Sequence, residues 1–112
     1  MKTYDAIVIG AGQAGGPLAK KLALAGKKTA LIEKRYIGGT CVNDGCTPTK
    51  TMIGSAKMAY LASKSKDLGV DIKGYRVNLK RIKKRKDDVV MQFRNGSQQG
   101  LEKTKGLDLL FG

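Results

Sequence analysis

Tyr4-Asp5-Ala6-Ile7-Val8-Ile9 is a short, β-branched apolar run that stops at Gly10, the pattern of a buried strand. A helix is predicted from Gln13 or Ala14 to about Ala25. Pro17 fits there because it falls in the first turn, where its missing N–H had no partner. Gly26 follows as the C-terminal cap. Lys28-Thr29-Ala30-Leu31-Ile32 reads as a second strand, with Glu33 directly after it. The order strand, glycine-rich turn, helix, strand, acid is that of a βαβ unit with parallel strands.

Beyond it, Thr40 to Lys66 is mostly helical in character, with interruptions expected near Gly45 and Pro48. Leu68 to Tyr75 reads as a loop. A second long helix is predicted from about Asn78 to Lys103, with Val77, Leu79, Ile82, Val89, Val90 and Phe93 as its apolar stripe. Asn95-Gly96-Ser97 is a weak point where that helix could bend. Gly106 ends it, and Leu107-Asp108-Leu109-Leu110-Phe111 reads as a third strand. The predicted fold is α/β, a partial doubly wound parallel sheet with a long helical excursion. Three strands are few beside the five or six usual for such a sheet. Residues 1–112 are therefore expected to be the front part of something larger, and of low stability by themselves.

Composition narrows the function. No apolar run approaches the ~18 residues that span a bilayer, and the start lacks a secretory pattern, so a cytoplasmic setting is expected. There is no His, although proton transfer near neutral pH commonly uses one. The net charge is +13. Lys73, Arg76, Lys80, Arg81, Lys83, Lys84, Arg85 and Lys86 form a run without an acid. One reading of that run is a phosphate-backbone contact in a non-catalytic, nucleic-acid-binding α/β module. From Lys80 to Lys86, the helical part of the run, no aromatic residue interleaves with the charges for stacking, which favours a solvated helix face.

Gly10-Ala11-Gly12-Gln13-Ala14-Gly15 carries the first chemical signal. Gly10 permits the turn out of the strand, Gly12 lets the backbone approach a pyrophosphate, and Gly15 lets helix and strand pack closely. The helix N-terminus offers free N–H groups to phosphates. Glu33 lies near the expected distance of about 20 residues and can accept hydrogen bonds from a ribose 2′-OH.

Cys41 and Cys46 carry the second. Five residues of ideal helix rise about 7.5 Å, whereas a disulfide wants Cα atoms within about 7 Å. A bridge therefore needs a distorted helix, which Gly45 and Pro48 favour. A helix N-terminus would favour thiolate, and Lys50 lies one turn beyond Cys46 on the same face. Asp44, between the thiols, works against thiolate formation. Inert buried thiols, zinc and a structural disulfide are the alternatives. Two thiols without His are too few for zinc, and a reducing compartment disfavours a structural staple. No metal site is expected.

Taken together, Gly10-x-Gly12-x-x-Gly15, Glu33, and Gly39-Thr40-Cys41-Val42-Asn43-x-Gly45-Cys46-x-Pro48-Thr49-Lys50 resemble the FAD-dependent pyridine nucleotide-disulfide oxidoreductases. Thr47-Pro48-Thr49-Lys50 is most similar to mercuric reductase-like members. The resemblance implies FAD at the glycine turn, with Gly10, Gly12 and Gly15 at its pyrophosphate and Glu33 at its ribose. Gly39 and Thr40 would lie near the flavin. Cys46 would be the charge-transfer thiol, Cys41 the interchange thiol, and Lys50 would approach flavin N5. Electrons would pass from NAD(P)H through FAD to the Cys41–Cys46 pair, then to a disulfide or a metal ion such as Hg(II). The family's NAD(P)-binding domain, its dimerisation domain with a His-Glu base, and the extra cysteines of mercuric reductases have no counterpart among these residues. The implied full-length protein is a homodimer, and the 112 residues alone are expected to be inactive.

Overall fold

The computed structural model describes residues 1–112. Three strands, β1 (Ala6–Ile9), β2 (Thr29–Glu33) and β3 (Leu107–Phe111), form one parallel sheet in the order β1-β2-β3. Ala6 pairs with Thr29 and Ile9 with Ile32, while Thr29 also pairs with Leu107 and Glu33 with Phe111. This is the α/β, partly built doubly wound arrangement that the apolar pattern predicted.

Helix α1 (Gly15–Leu24) crosses back between β1 and β2. Its buried face is Gly16, Ala19 and Ala23. These small side chains let the helix axis lie close to the sheet, where Leu31, Leu107 and Leu101 complete the core. Alternation along the strands decides which side is covered. Val8, Leu31, Leu107 and Leu109 face the helices. On the opposite face Ile7 is 60% exposed, Ile9 83% and Leu110 41%.

The helical excursion consists of α2 (Gly39–Asn43), α3 (Cys46–Ser63), a 3-10 turn at Ser65–Leu68, and α4 (Leu79–Glu102). Asn78 caps α4 by accepting a hydrogen bond from the Arg81 N–H at 3.0 Å. Helices α3 and α4 pack along each other, and the chain is elongated, 67 × 24 × 18 Å. Three expectations change. Helix α4 runs through Asn95-Gly96-Ser97 without a break. The chain is interrupted at Asp44-Gly45, whereas Pro48 sits in the first turn of α3, where it removes no intrahelical bond. The apolar stripe of α4 is only partly covered. Val90 is buried, yet Leu79 is 72% exposed and Phe93 55%. The two helices offer each other one narrow seam, and no third element closes over it.

The basic run is largely a solvated face. Lys83 pairs with Asp87 at 2.8 Å, Lys84 with Asp88 at 2.6 Å, and Lys86 also meets Asp87. Arg85 donates to the Thr51 carbonyl at 2.9 Å, tying α4 to α3. No helix is long and apolar enough to cross a membrane.

Candidate functional site

The glycine turn joins β1 to α1, and Gly15 is its tightest point. A Cβ there would lie 1.8 Å from the Gly10 carbonyl oxygen, inside van der Waals contact. Gly10 itself donates to the Ile32 carbonyl at 2.7 Å, which holds the turn against the end of β2. Helix α1 has no side-chain cap and no acid in its first turn. Gly16 donates to the Gly12 carbonyl at 3.2 Å and Pro17 has no N–H, so the donors open to an anion are those of Gly12 to Gly15.

Glu33, the last residue of β2, is buried and turned toward this loop. One carboxylate oxygen accepts from the Ala11 N–H at 2.8 Å and the other from the Arg35 N–H at 2.8 Å. Burial pushes its pKa up, but these backbone donors and that of Lys34 outweigh burial, and the net shift is downward.

The cysteine segment abuts the glycine turn. Gly38 donates to the Ala11 carbonyl at 2.8 Å, and Gln13 reaches the Gly38 carbonyl at 3.3 Å. Gly39 adopts φ +62°, and a Cβ on it would lie 2.8 Å from the Gly12 Cα. Backbone meets backbone there, so Gly39 has no space for a side chain, whereas a Cβ on Gly12 would sit at ordinary contact distance, 3.9 Å from the Gly39 Cα.

Cys41 lies within α2 and Cys46 opens α3, with the break at Gly45 between them. A Cβ on Gly45 would approach the Thr40 carbonyl oxygen to 2.9 Å and the Cys41 Cα to 3.3 Å. The distorted backbone expected from the spacing is thus a helix–glycine–helix corner. Both cysteines are unbridged, Cys41 half-buried and Cys46 exposed. The neighbouring Cys46 thiol, foremost, pushes the Cys41 pKa up, and burial adds to this. The Cys46 backbone N–H and the Lys50 charge pull the other way. Asp44 does not face the sulfurs unopposed, because Arg35 binds it at 2.8 Å.

Cys41, Cys46 and Lys50 line one cleft of about 450 Å³ with Gln13, Phe93 and Ser97. A second cleft of about 360 Å³ runs along Gly12, Gln13, Gly38 and Ser97. Gln13 and Ser97 line both, so the thiol cleft and the glycine-turn cleft are neighbours. The structure therefore brings together Gly10, Gly12, Gly15, Gly39, Cys41, Cys46 and Lys50. Glu33 holds the loop from below, and Thr40 is exposed on the first turn of α2. Sequence reasoning missed Gln13, Ser97, Asn43 and Arg94. Asn43 sits inside the quoted motif and could have been found there. Arg94 carries no local signal, because its contact is 51 residues away.

Comparison with known proteins agrees with this geometry. Residues 4–108 match the family described as pyridine nucleotide-disulphide oxidoreductase. The chain is 43% identical over 112 residues to dihydrolipoyl dehydrogenase of Acholeplasma laidlawii, covering 99% of this chain and 33% of that one. It is 35% identical over 109 residues to mercuric reductase of Bacillus cereus, covering 97% and 17%. Among solved structures, the HOCl-induced flavoprotein disulfide reductase RclA from Escherichia coli superposes with a TM-score of 0.78 at 35% identity, covering 97% of this chain and 22% of RclA. The chain thus spans a third or less of the length of these relatives. Members of the matched family depend on FAD and use NAD(P)H. On the glycine turn, the cysteine corner and these matches, the chain belongs to the pyridine nucleotide-disulphide oxidoreductase family.

Proposed function

We propose that residues 1–112 are the N-terminal FAD-binding and redox-disulfide portion of a flavoprotein oxidoreductase that acts on a disulfide or a metal ion such as Hg(II). The adjacency of the two clefts, which share Gln13 and Ser97, supports this reading most directly.

The residues fit a dinucleotide. The uncapped start of α1 is a donor set suited to a pyrophosphate, and a Cβ on Gly12 would meet nothing nearer than the Gly39 Cα at 3.9 Å. In this reading Gly10, Gly12 and Gly15 shape the pyrophosphate cradle. Glu33 keeps spare lone pairs for a ribose hydroxyl while it holds Ala11. Gly39 and Thr40 would border the flavin, and Lys50 would set a positive charge beside it. Bound FAD would supply two-electron chemistry between NAD(P)H and the thiol pair. Cys46 would be the thiol on the flavin side and Cys41 the one that meets the substrate. The glycine corner sets both thiols on one cleft, where they can close and reopen a bridge.

The uncovered sheet face, with Ile7 and Ile9 exposed, supports further layers around this sheet, since parallel sheets are covered on both faces. An NAD(P)-binding region, a dimer partner and a cytoplasmic setting belong to the same proposal. The paired lysines of α4 remove the motive for a nucleic-acid role.

The test is spectroscopic. The full-length protein is expected to be yellow, and two-electron reduction should yield a long-wavelength band that Cys46→Ser abolishes and Cys41→Ser retains. A colourless protein with no affinity for FAD would overturn the proposal.

A further inference from the structure

We propose that Arg94 and Tyr36 form a clamp that acts through Asn43 to position the Cys41–Cys46 corner for disulfide closure. The inference rests on the redox reading of that pair, and it names residues that the reading does not use.

The contacts join α4 to the segment from Arg35 to Asp44. Arg94, on α4, places its guanidinium 3.9 Å from the centroid of the Tyr36 ring. Its Nε donates to the Asn43 side-chain oxygen at 2.7 Å. The Asn43 amide nitrogen donates in turn to the carbonyls of Ile37 at 3.1 Å and Gly39 at 2.8 Å. Asn43 is thus bonded at both ends, with Arg94 holding its oxygen and the two carbonyls its nitrogen. Arg35 packs on Tyr36 at 5.1 Å and holds Asp44 at 2.8 Å. Asn43 and Asp44 are the two residues before Gly45, where the chain turns from the Cys41 helix into the Cys46 helix.

A five-residue helix has no stability of its own. Its end therefore needs an external hold, and α4 provides it. Arg94 is a positioning residue. It touches no sulfur, and it limits the range of Cys41–Cys46 separations. Closure proceeds by thiol–disulfide exchange. One Cys sulfur attacks oxidised glutathione and releases one reduced glutathione. The second Cys sulfur then attacks the mixed disulfide and releases another. The Cys41–Cys46 bond forms, the glutathione disulfide is reduced, and the two thiol protons pass to the released glutathione thiols. Holding the corner favours the second, intramolecular step.

The experiment equilibrates the chain in glutathione buffers of graded ratio and counts free thiols by alkylation and mass, with far-UV circular dichroism to check the fold. Arg94→Ala and Tyr36→Leu are each expected to lower the dithiol-to-disulfide equilibrium constant roughly tenfold. Tyr36→Phe, which keeps the ring, should stay within about twofold. Arg85→Ala removes a different α3–α4 contact and should leave the equilibrium unchanged. If Arg94→Ala unfolds, Tyr36→Leu decides. An unchanged constant in the folded variants, or an equal shift in Arg85→Ala, would overturn the clamp. No flavin enters this measurement. A chain that bound no FAD but showed the predicted shifts would defeat the flavoprotein reading and leave the clamp standing.

Discussion

The Glu33 carboxylate reaches from the end of β2 to the Ala11 N–H at 2.8 Å, so one buried acid fastens the glycine turn to the sheet. This bond gives the position a structural role beside any ribose contact. Glu33→Gln keeps one acceptor and loses the charge, and about 1 kcal/mol of stability should go with it. Denaturant titration of the two chains measures the difference.

The same acid sets a pH dependence. Its folded pKa lies below the ordinary carboxylate value, so the ionised form stabilises the fold above about pH 4.3. That contribution is lost as pH falls through the folded value. Thermal melts between pH 7 and pH 3 should show a falling midpoint in the wild type, and Glu33→Gln should flatten the lower part of the curve.

Gly15→Ala is expected to be severe. The new Cβ would lie 1.8 Å from a backbone oxygen, and a backbone atom cannot rotate away as a side chain can. A loss of about 3 kcal/mol, or failure to fold, is expected. Flavin binding should disappear with it. Gly54→Ala, where no atom lies within 4 Å, is the control and should be tolerated.

Cys41 is the thiol whose titration depends on its neighbour. Cys41 is held protonated chiefly by the Cys46 thiol beside it, so Cys46→Ala should move the Cys41 alkylation midpoint to lower pH. An unchanged midpoint would mean that the two sulfurs do not communicate in solution.

Flavin should also stabilise the chain. The core is small, seven residues centred on Leu31, Ile37 and Leu107, and one sheet face is open. A low or weakly cooperative melt is expected without ligand. At 100 times its dissociation constant, FAD should add about 2.7 kcal/mol, visible as a higher melting midpoint.

The local grammar of the chain determined much of this. The β1–turn–α1–β2 unit, the acid at its end and the paired cysteines were legible because each depends on residues near one another in sequence. Period-two and helical spacing, glycine placement and a short motif read such features directly. Only the tertiary structure decided that Gly12 and Gly39 abut, that Pro48 stays within a helix beyond the expected break at Gly45, and that Phe93 and Leu79 lie open. It also decided that Arg94 grips Asn43 from 51 residues away. An apolar stripe records only that a side chain could be buried. Whether it is depends on which element arrives to cover it, and a contact between distant residues leaves no periodic trace in either segment.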